Sequence, residues 1–280
     1  MKEKTPKPDK IDVWSEVKLH ILKEYSTKFS TMLHGSSMRG RPLDHFYIDA
    51  FAGAGIHISK RTGEMIPGSP LNALNVIPPF KRFFFIDLDD AKVDLLRERV
   101  GDRSDVEIFA GDCNNHLLKS IFPRIHYRAY QTALCLLDPY GLHLNWEVMK
   151  AAGQDRAFEL FLNFPVMDMN RNVLWTDSTA VDPKQRARMD AFWGDGSWRE
   201  AAYDTQSDMF GFPEKLGNEE VVMAFRDRLR KVAGFDYVPD PLPMKNNRRS
   251  DIYYLFFASH HPKGDEIAKA IFRRERRKMD

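Results

Sequence analysis

Apolar residues recur at Trp14, Val17, Ile21, Tyr25 and Phe29, steps of three and four that lay one stripe along a helix over Val13–Leu33. Gly35 and the stretch from Gly40 to Pro42 end that helix. Beyond them the period changes. His45–Ile48, Arg82–Ile86, Val106–Phe109, Ala133–Leu137 and Phe158–Phe164 are nearly unbroken apolar runs, as expected of parallel strands covered on both faces. Helical segments separate them, at Pro70–Val76, Ala91–Val100, Asn114–Ile121 and Trp146–Ala152. Ser69 is expected to cap the first of these with Pro70 at its first position, and Gly101 to stop the second. Regular alternation of strand and helix predicts an α/β fold.

The rhythm breaks between Pro165 and Pro213, a segment too long for an ordinary connection and carrying Trp175, Phe192, Trp193 and Trp198. It reads as a partly helical insertion after the fifth strand, over the carboxyl edge of the sheet, and a candidate lid. Its tryptophans are expected to form a small core of their own. A helix over Asn218–Val232 follows, stopped by Gly234, then strands at Phe235–Val238 and Ile252–Ala258 and a last helix from Gly264. Residues 1–280 are expected to form one domain.

Composition changes this picture little. Of 280 residues 43% are hydrophobic and 29% charged, so a full core is available, and a net charge of +2 demands no polyanionic partner. Basic residues do cluster at Lys245–Arg249 and in the last helix at Arg273–Lys278, where a solvated face is the plainer reading. Two cysteines, Cys113 and Cys135, make neither a disulfide framework nor a metal knuckle. The polar segment Met1–Lys10 lacks the apolar core of a signal peptide, and no run is long enough to span a membrane. A soluble, cytoplasmic protein is expected, without membrane association. His260 and His261 are adjacent in a strand and so face opposite ways, which argues against a metal site. His57 is expected to be a loop residue facing solvent.

The chemistry concentrates where strands end. In open α/β sheets ligands bind at the carboxyl edge, and the first such edge reads Tyr47-Ile-Asp49-Ala-Phe51-Ala-Gly53-Ala-Gly55. Glycines at 53 and 55 allow a tight turn and close approach of a ligand. A dinucleotide is disfavoured, because Ile58 stands where a third glycine belongs and the charge of Asp49 would repel a pyrophosphate. A carboxylate there suits a cationic ligand, and S-adenosylmethionine carries a sulfonium and an ammonium group. The second strand ends at Asp87-Leu88, placed to hold ribose hydroxyls, and the third at Asp112-Cys113, placed to hold the adenine amino group. The offset from Asp49 to Asp87 leaves room for a hairpin over His57–Gly68. The fourth strand ends Asp138-Pro139-Tyr140, the edge that would face a transferred methyl group. It resembles the Asp/Asn-Pro-Pro-aromatic signature of methyltransferases acting on base amines, with one proline fewer and the aromatic residue one place earlier.

A closer resemblance runs along nearly the whole chain. Lys18-Leu-x-Ile21-Leu-Lys-x-Tyr25, Tyr47-Ile-Asp49-x-Phe51-Ala-Gly53-x-Gly55, Gly68-Ser69-Pro70-Leu71 and Leu137-Asp138-Pro139-Tyr140-Gly141 are followed by Leu160-x-Leu162-Asn163-Phe164, Phe192-Trp193-Gly194-Asp195 and Leu255-Phe-Phe-Ala258-Ser-His260-His-Pro262. In these the chain resembles the three-Cys-motif partner proteins. The resemblance implies a Rossmann-like class I methyltransferase fold with a mostly parallel seven-stranded sheet and helices on both faces. It also implies a three-cysteine, radical-type iron–sulfur protein as a partner. Together these readings predict an S-adenosylmethionine-dependent methyltransferase with nucleic acid as the leading substrate class. Asp49, Phe51, Gly53, Gly55, Asp87, Leu88, Asp112, Cys113 and Asp138 would bind the cofactor, and Asp138, Pro139 and Tyr140 would face the acceptor. A non-catalytic adaptor and a methyltransferase for proteins or small molecules are the alternatives.

Overall fold

A computed structural model describes residues 8–38, 40–204 and 214–279, so part of the polar amino-terminal segment and the end of the insertion lie outside the described residues. The chain runs β1 (Asp9–Ile11), α1 (Val13–Leu33), β2 (Asp44–Asp49), β3 (Ile56–Ser59), β4 (Met65–Pro67), α2 (Ser69–Leu74), β5 (Arg82–Asp87), α3 (Asp90–Val100) and β6 (Val106–Ala110). It continues with α4 (Cys113–His116), β7 (Gln131–Leu137), α5 (Trp146–Gln154), β8 (Phe158–Phe164), α6 (Val166–Asn172), α7 (Pro183–Trp193), α8 (Trp198–Ala202) and α9 (Asn218–Arg228). The last elements are β9 (Leu242–Lys245), β10 (Asp251–Ala258) and α10 (Pro262–Met279).

Among the described residues the central sheet has seven strands in the order β9-β10-β8-β7-β2-β5-β6. Only β10 opposes the rest, pairing antiparallel with both β8 and β9. From β2 the chain moves outward through β5 and β6, then returns to place β7 on the other side of β2. That reversal makes the gap between β2 and β7 the topological switch point, where the fold leaves a crevice at the carboxyl ends. Register aligns those ends. Asp49 pairs with Leu136 on one side and Phe85 on the other, and Asp87 pairs with Ala110.

Side chains alternate between two cores, as the pleat requires. Ile48, Phe84, Ile86, Cys135, Leu137 and Phe164 point to the face that carries α5 and α9. Tyr47, Phe83, Phe85, Leu134 and Leu136 point to the face covered by α1 and α10. Local signals set the ends of α3. The Asp89 carboxylate accepts the Ala91 amide at 3.0 Å, and Gly101 closes the helix at φ +67°.

Several boundaries differ from the sequence expectation. Phe235–Val238 forms no strand; Tyr237 makes one isolated bridge to Ser259, and the sixth strand lies later, at Leu242–Lys245. Pro239 and Pro241 cannot donate to a ladder, whereas Pro243 is tolerated because β9 is the edge of the sheet. Gly68, not Ser69, caps α2, because its amide is held by the Gly55 carbonyl at 2.7 Å. The last helix starts at Pro262, a residue suited to a first helical position. The hairpin over His57–Gly68 is present as β3 and β4, and β1 adds to it in parallel through Asp9 and His57. Among its described residues the insertion makes no separate core: Phe192, Trp193 and Trp198 are buried in the same cluster as Phe164 and Phe225 of the sheet face. Phe192 stacks on Phe225 with ring centroids 5.5 Å apart, which ties α7 to α9. Among the described residues no helix is long and apolar enough to cross a membrane.

Candidate cofactor and acceptor site

The turn after β2 climbs over its own carboxylate. Asp49 is fully buried, and one oxygen accepts the Phe51 amide at 3.1 Å. Its other oxygen is buried and makes no hydrogen bond of normal geometry, although the Ser69 hydroxyl lies close by. Burial raises the carboxyl to about 7, against the lowering effect of the neighbouring Ser69 hydroxyl and the Phe51 amide, and the charges of Asp138 and Asp87 add to the rise. An unpaired acceptor of this kind costs about 1–3 kcal/mol, a cost that a nearby cation would offset. Phe51 packs on the sheet core and anchors the turn. Gly53 and Gly55 adopt φ of +61° and +80°, which only glycine adopts without strain. A Cβ on Gly53 would meet nothing within 4 Å, so the space above the loop is open, whereas one on Gly55 would strike Leu96 at 2.9 Å.

Asp87 stands beside this loop and holds it. Its carboxylate accepts the Gly53 amide at 2.7 Å and the Asp89 amide at 3.0 Å, leaving lone pairs on both oxygens for hydroxyl donors. Leu88 follows, 77% exposed, an apolar side chain left at the sheet edge. Asp112 is spent largely on its own helix, accepting the Asn114 amide at 3.0 Å and the Asn114 side chain at 2.8 Å. Cys113 is buried, and burial pushes its thiol up to about 12, so it contributes shape and not reactivity.

At the fourth strand end the structure gives a place to two residues, Lys18 and Asn163, that the resemblance motifs contain without assigning them a role. One oxygen of Asp138 pairs with the ammonium of Lys18, which reaches in from α1, and the other accepts the Asn163 side-chain amide at 2.8 Å. Asn163, near the end of β8, also donates to the Pro139 carbonyl at 3.3 Å. Lys18 is only 8% exposed and its ammonium lies 5.3 Å from the centre of the Tyr253 ring. The signals are present in the chain: Lys18 falls on the apolar stripe of α1, and Asn163 interrupts an apolar strand. Tyr140 projects into open space, 79% exposed, while Pro139 is buried beneath it.

A cavity of about 540 Å³ opens here, walled by Lys18, Asp138, Tyr140, Asn163 and Tyr253. The amino-terminal strand β1 closes one side, with Asp9 paired to Lys92 of α3 at 2.6 Å. The insertion supplies Met167, Asp168 and Arg171 from α6. Of the expected site residues this cavity takes in Asp138 and Tyr140; Asp49, Gly53, Gly55, Asp87, Leu88 and Asp112 belong to the adjoining strand ends and not to its wall. His57 is a half-buried strand residue with an unpartnered ring nitrogen, not a solvent-facing loop residue, because β1 and β4 flank it.

The described residues bring together no group of three or more His, Cys, Asp and Glu side chains placed to hold a metal ion. His260 instead contacts Asp236 at 3.0 Å and the Gly153 carbonyl at 2.9 Å. In the basic carboxyl-terminal cluster Arg274 pairs with Glu24 and Glu275, and Lys278 with Glu275, whereas Arg276 donates to the Asp240 and Pro241 carbonyls.

The sheet order and the single reversed strand make this a Rossmann-like sheet of the class I methyltransferase kind. No family model and no curated protein matches the chain. Among solved structures, a Legionella pneumophila protein of the DUF519 family is similar at 12% identity and a TM-score of 0.49, covering 91% of this chain and 90% of that one. The methyltransferase domain of a bacterial Hen1 protein is similar at 10% identity and a TM-score of 0.40, covering 86% and 99%. A Leishmania major S-adenosylmethionine-dependent methyltransferase of the DUF858 family is similar at 9% identity and a TM-score of 0.40, covering 86% and 72%. Likenesses this distant say nothing of substrate, and the fold stands on the order and direction of the strands.

Proposed function

We propose that this chain is an S-adenosylmethionine-dependent methyltransferase acting on nucleic acid. The observation that carries the reading is the row of aspartates at the switch point, Asp138, Asp49, Asp87 and Asp112, ordered along adjacent strand ends beside a glycine loop. The unpartnered Asp49 oxygen and the open space above Gly53 fit a cationic group lying on that loop. Asp87 would hold the ribose hydroxyls, Leu88 would cover the adenine, and Asp112, exposed next to Cys113, would meet its amino group. When bound, the cofactor supplies an electrophilic methyl group to a nucleophilic nitrogen or oxygen.

The chain's own contribution is positioning and exclusion of water. Asp138 is held by Lys18 and Asn163, so it orients its neighbours. Tyr140 offers an exposed ring to stack on a base. Nucleic acid is favoured by the cavity rim. Lys10 and Arg171 line it among Asp9, Asp12 and Asp168, and the excess of positive charge comes from the turn bearing exposed Arg248 and Arg249, which Asn246 brings to its edge. The test is transfer of tritiated methyl groups to total nucleic acid and to total protein. Label in nucleic acid, with substrate binding that weakens steeply as salt rises, is expected. Label in protein alone would overturn the substrate class.

The Lys18–Asp138 pair also favours a second reading, in which the acceptor side is filled by a structural ion pair. On that reading the chain is a cofactor-binding adaptor for a three-cysteine iron–sulfur protein, as its resemblance to three-Cys-motif partner proteins implies. Cofactor binding without methyl transfer to any acceptor, together with tight binding of such a partner, would select it.

A further inference from the structure

Asn163 has a side-chain amide whose orientation is fixed by its neighbours. Its nitrogen faces the Asp138 carboxylate at 2.8 Å and the Pro139 carbonyl at 3.3 Å, and both of those partners can only accept. A flipped amide would set its oxygen against two acceptors, so the oxygen must point away from them. That oxygen is buried without a partner, on a residue that is 7% exposed and lines the 540 Å³ cavity. Asp138, by contrast, has both oxygens engaged, one by Lys18 and one by Asn163. The unmet acceptor at the fourth and fifth strand ends is therefore Asn163 Oδ1 and not the Asp138 carboxylate.

We propose that Asn163 Oδ1 is the atom that selects the acceptor group, receiving an N–H or O–H from the group to be methylated, with Asp138 and Lys18 as positioning residues. The inference rests on the methyltransferase reading of this site. Lys18 neutralises Asp138, Asp138 fixes the Asn163 nitrogen, and the amide oxygen is left to meet a donor. Oδ1 is itself buried, so a donor entering the cavity that Asn163 lines meets it after a small shift of the wall. An acceptor with no hydrogen to offer, such as a tertiary amine or a thioether, would leave the oxygen unpaired and be rejected. A primary or secondary amine, or a hydroxyl, would be taken.

The claim is testable without knowing the natural acceptor. Sinefungin is a cofactor analogue that carries a primary amine where the methylsulfonium group stands, whereas S-adenosylhomocysteine has no donor at that point. Calorimetry on the full chain should show sinefungin binding about tenfold more tightly than S-adenosylhomocysteine, as for one hydrogen bond from a charged donor. In Asn163→Ala the ratio should fall severalfold, towards the preference that the Asp49 carboxylate alone gives a cation, and in Asp138→Asn, which keeps the shape but loosens the amide, it should fall part of the way. Equal affinity for the two ligands in the wild-type protein, or an undiminished preference in Asn163→Ala, would overturn the proposal. Should Asn163→Ala fail to fold, the wild-type protein still decides: the Asn163 side-chain amide resonance should move with sinefungin and hold still with S-adenosylhomocysteine, and the reverse or identical shifts would refute it. Binding of neither ligand by the wild-type protein would instead defeat the methyltransferase reading itself.

Discussion

Helix α1 meets strand β8 through two buried polar clusters, and they are built from the same materials to different ends. Lys18 and Tyr25 sit seven residues apart on one stripe of α1, two helical turns. Asn163 and Glu159 sit four residues apart in β8, on one face of the strand. At the far cluster Glu159 accepts from the Tyr25 hydroxyl through one oxygen and from Ser259 at 2.8 Å through the other. Gly264 closes it, since a Cβ there would lie 2.5 Å from a Glu159 oxygen and 2.9 Å from the Tyr25 hydroxyl. Every oxygen has a partner and there is no room for a ligand. At the near cluster Lys18, Asp138 and Asn163 leave one amide oxygen unmet and form the wall of a cavity. A satisfied polar cluster fixes how a helix docks; an unsatisfied one beside a cavity marks where a ligand docks.

Substitutions that unbalance each cluster separate the two roles. The largest effect is expected from Asp138→Ala, which leaves the Lys18 ammonium buried without its partner. Breaking a buried pair costs about 3–5 kcal/mol, and with Asp138 21% exposed the lower end applies. Chemical denaturation should show a loss of about 3 kcal/mol together with loss of methyl transfer; an unchanged midpoint would mean the pair is not buried as described.

Glu159→Gln sharpens the other side of the comparison. Burial raises the Glu159 carboxyl from 4.5 to about 7, although the bonds from Tyr25 and Ser259 oppose the rise. A carboxyl raised in the folded state binds more protons there than in the unfolded state between those two values. Its contribution is therefore fully present below pH 4.5 and is lost as pH climbs through 7. Over that window the wild-type protein should lose about 3 kcal/mol relative to the glutamine variant, because each tenfold change in proton affinity is worth about 1.4 kcal/mol. Melting curves on either side of that window, at about pH 4.5 and about pH 8, check this, and a difference that stays constant with pH would contradict it. Activity of Glu159→Gln at neutral pH should be retained, which the near cluster does not permit for its own members.

The smallest effect concerns Asp49, raised to about 7 by burial beneath the glycine loop. A cationic ligand on that loop lowers this value and so expels a proton. Affinity for S-adenosylmethionine should accordingly rise with pH up to about 7, by at most about tenfold per pH unit. Calorimetry in buffers of different ionisation enthalpy would register the released proton, and pH-independent binding without proton release would separate Asp49 from the cofactor.

Much of this architecture is legible in the sequence because the central strands are covered on both faces and therefore read as apolar runs, and because Gly101 and Gly234 punctuate helices with positive φ. The aspartates at the strand ends are legible for the same reason, as the first charges after buried runs. What escapes is long-range. Nothing local tells that Lys18 crosses 120 positions of sequence to reach Asp138, or that Asn163 returns to Pro139. Polar residues inside an apolar stripe or strand are the available clue, and Glu159 offers the same clue with a structural outcome. The sixth strand lies later than its pattern suggests because Phe235–Val238 has the right composition, while the prolines that follow it remove the donors a ladder needs. The tryptophans of the insertion suggest a separate core because nothing in their spacing reveals that α7 and α8 pack directly on the sheet face.

The central claim is that the Gly53–Gly55 loop and the Asp87 carboxylate form one cofactor site, joined by the 2.7 Å bond from the Gly53 amide. Calorimetric titration of S-adenosylmethionine into the wild-type protein and into Asp87→Ala tests it most directly. Binding by the wild-type protein and binding weaker by about tenfold or more in the variant are predicted, since the substitution removes the proposed ribose acceptor and the support of the loop. Equal affinity in the two proteins, or no binding by either, would contradict it.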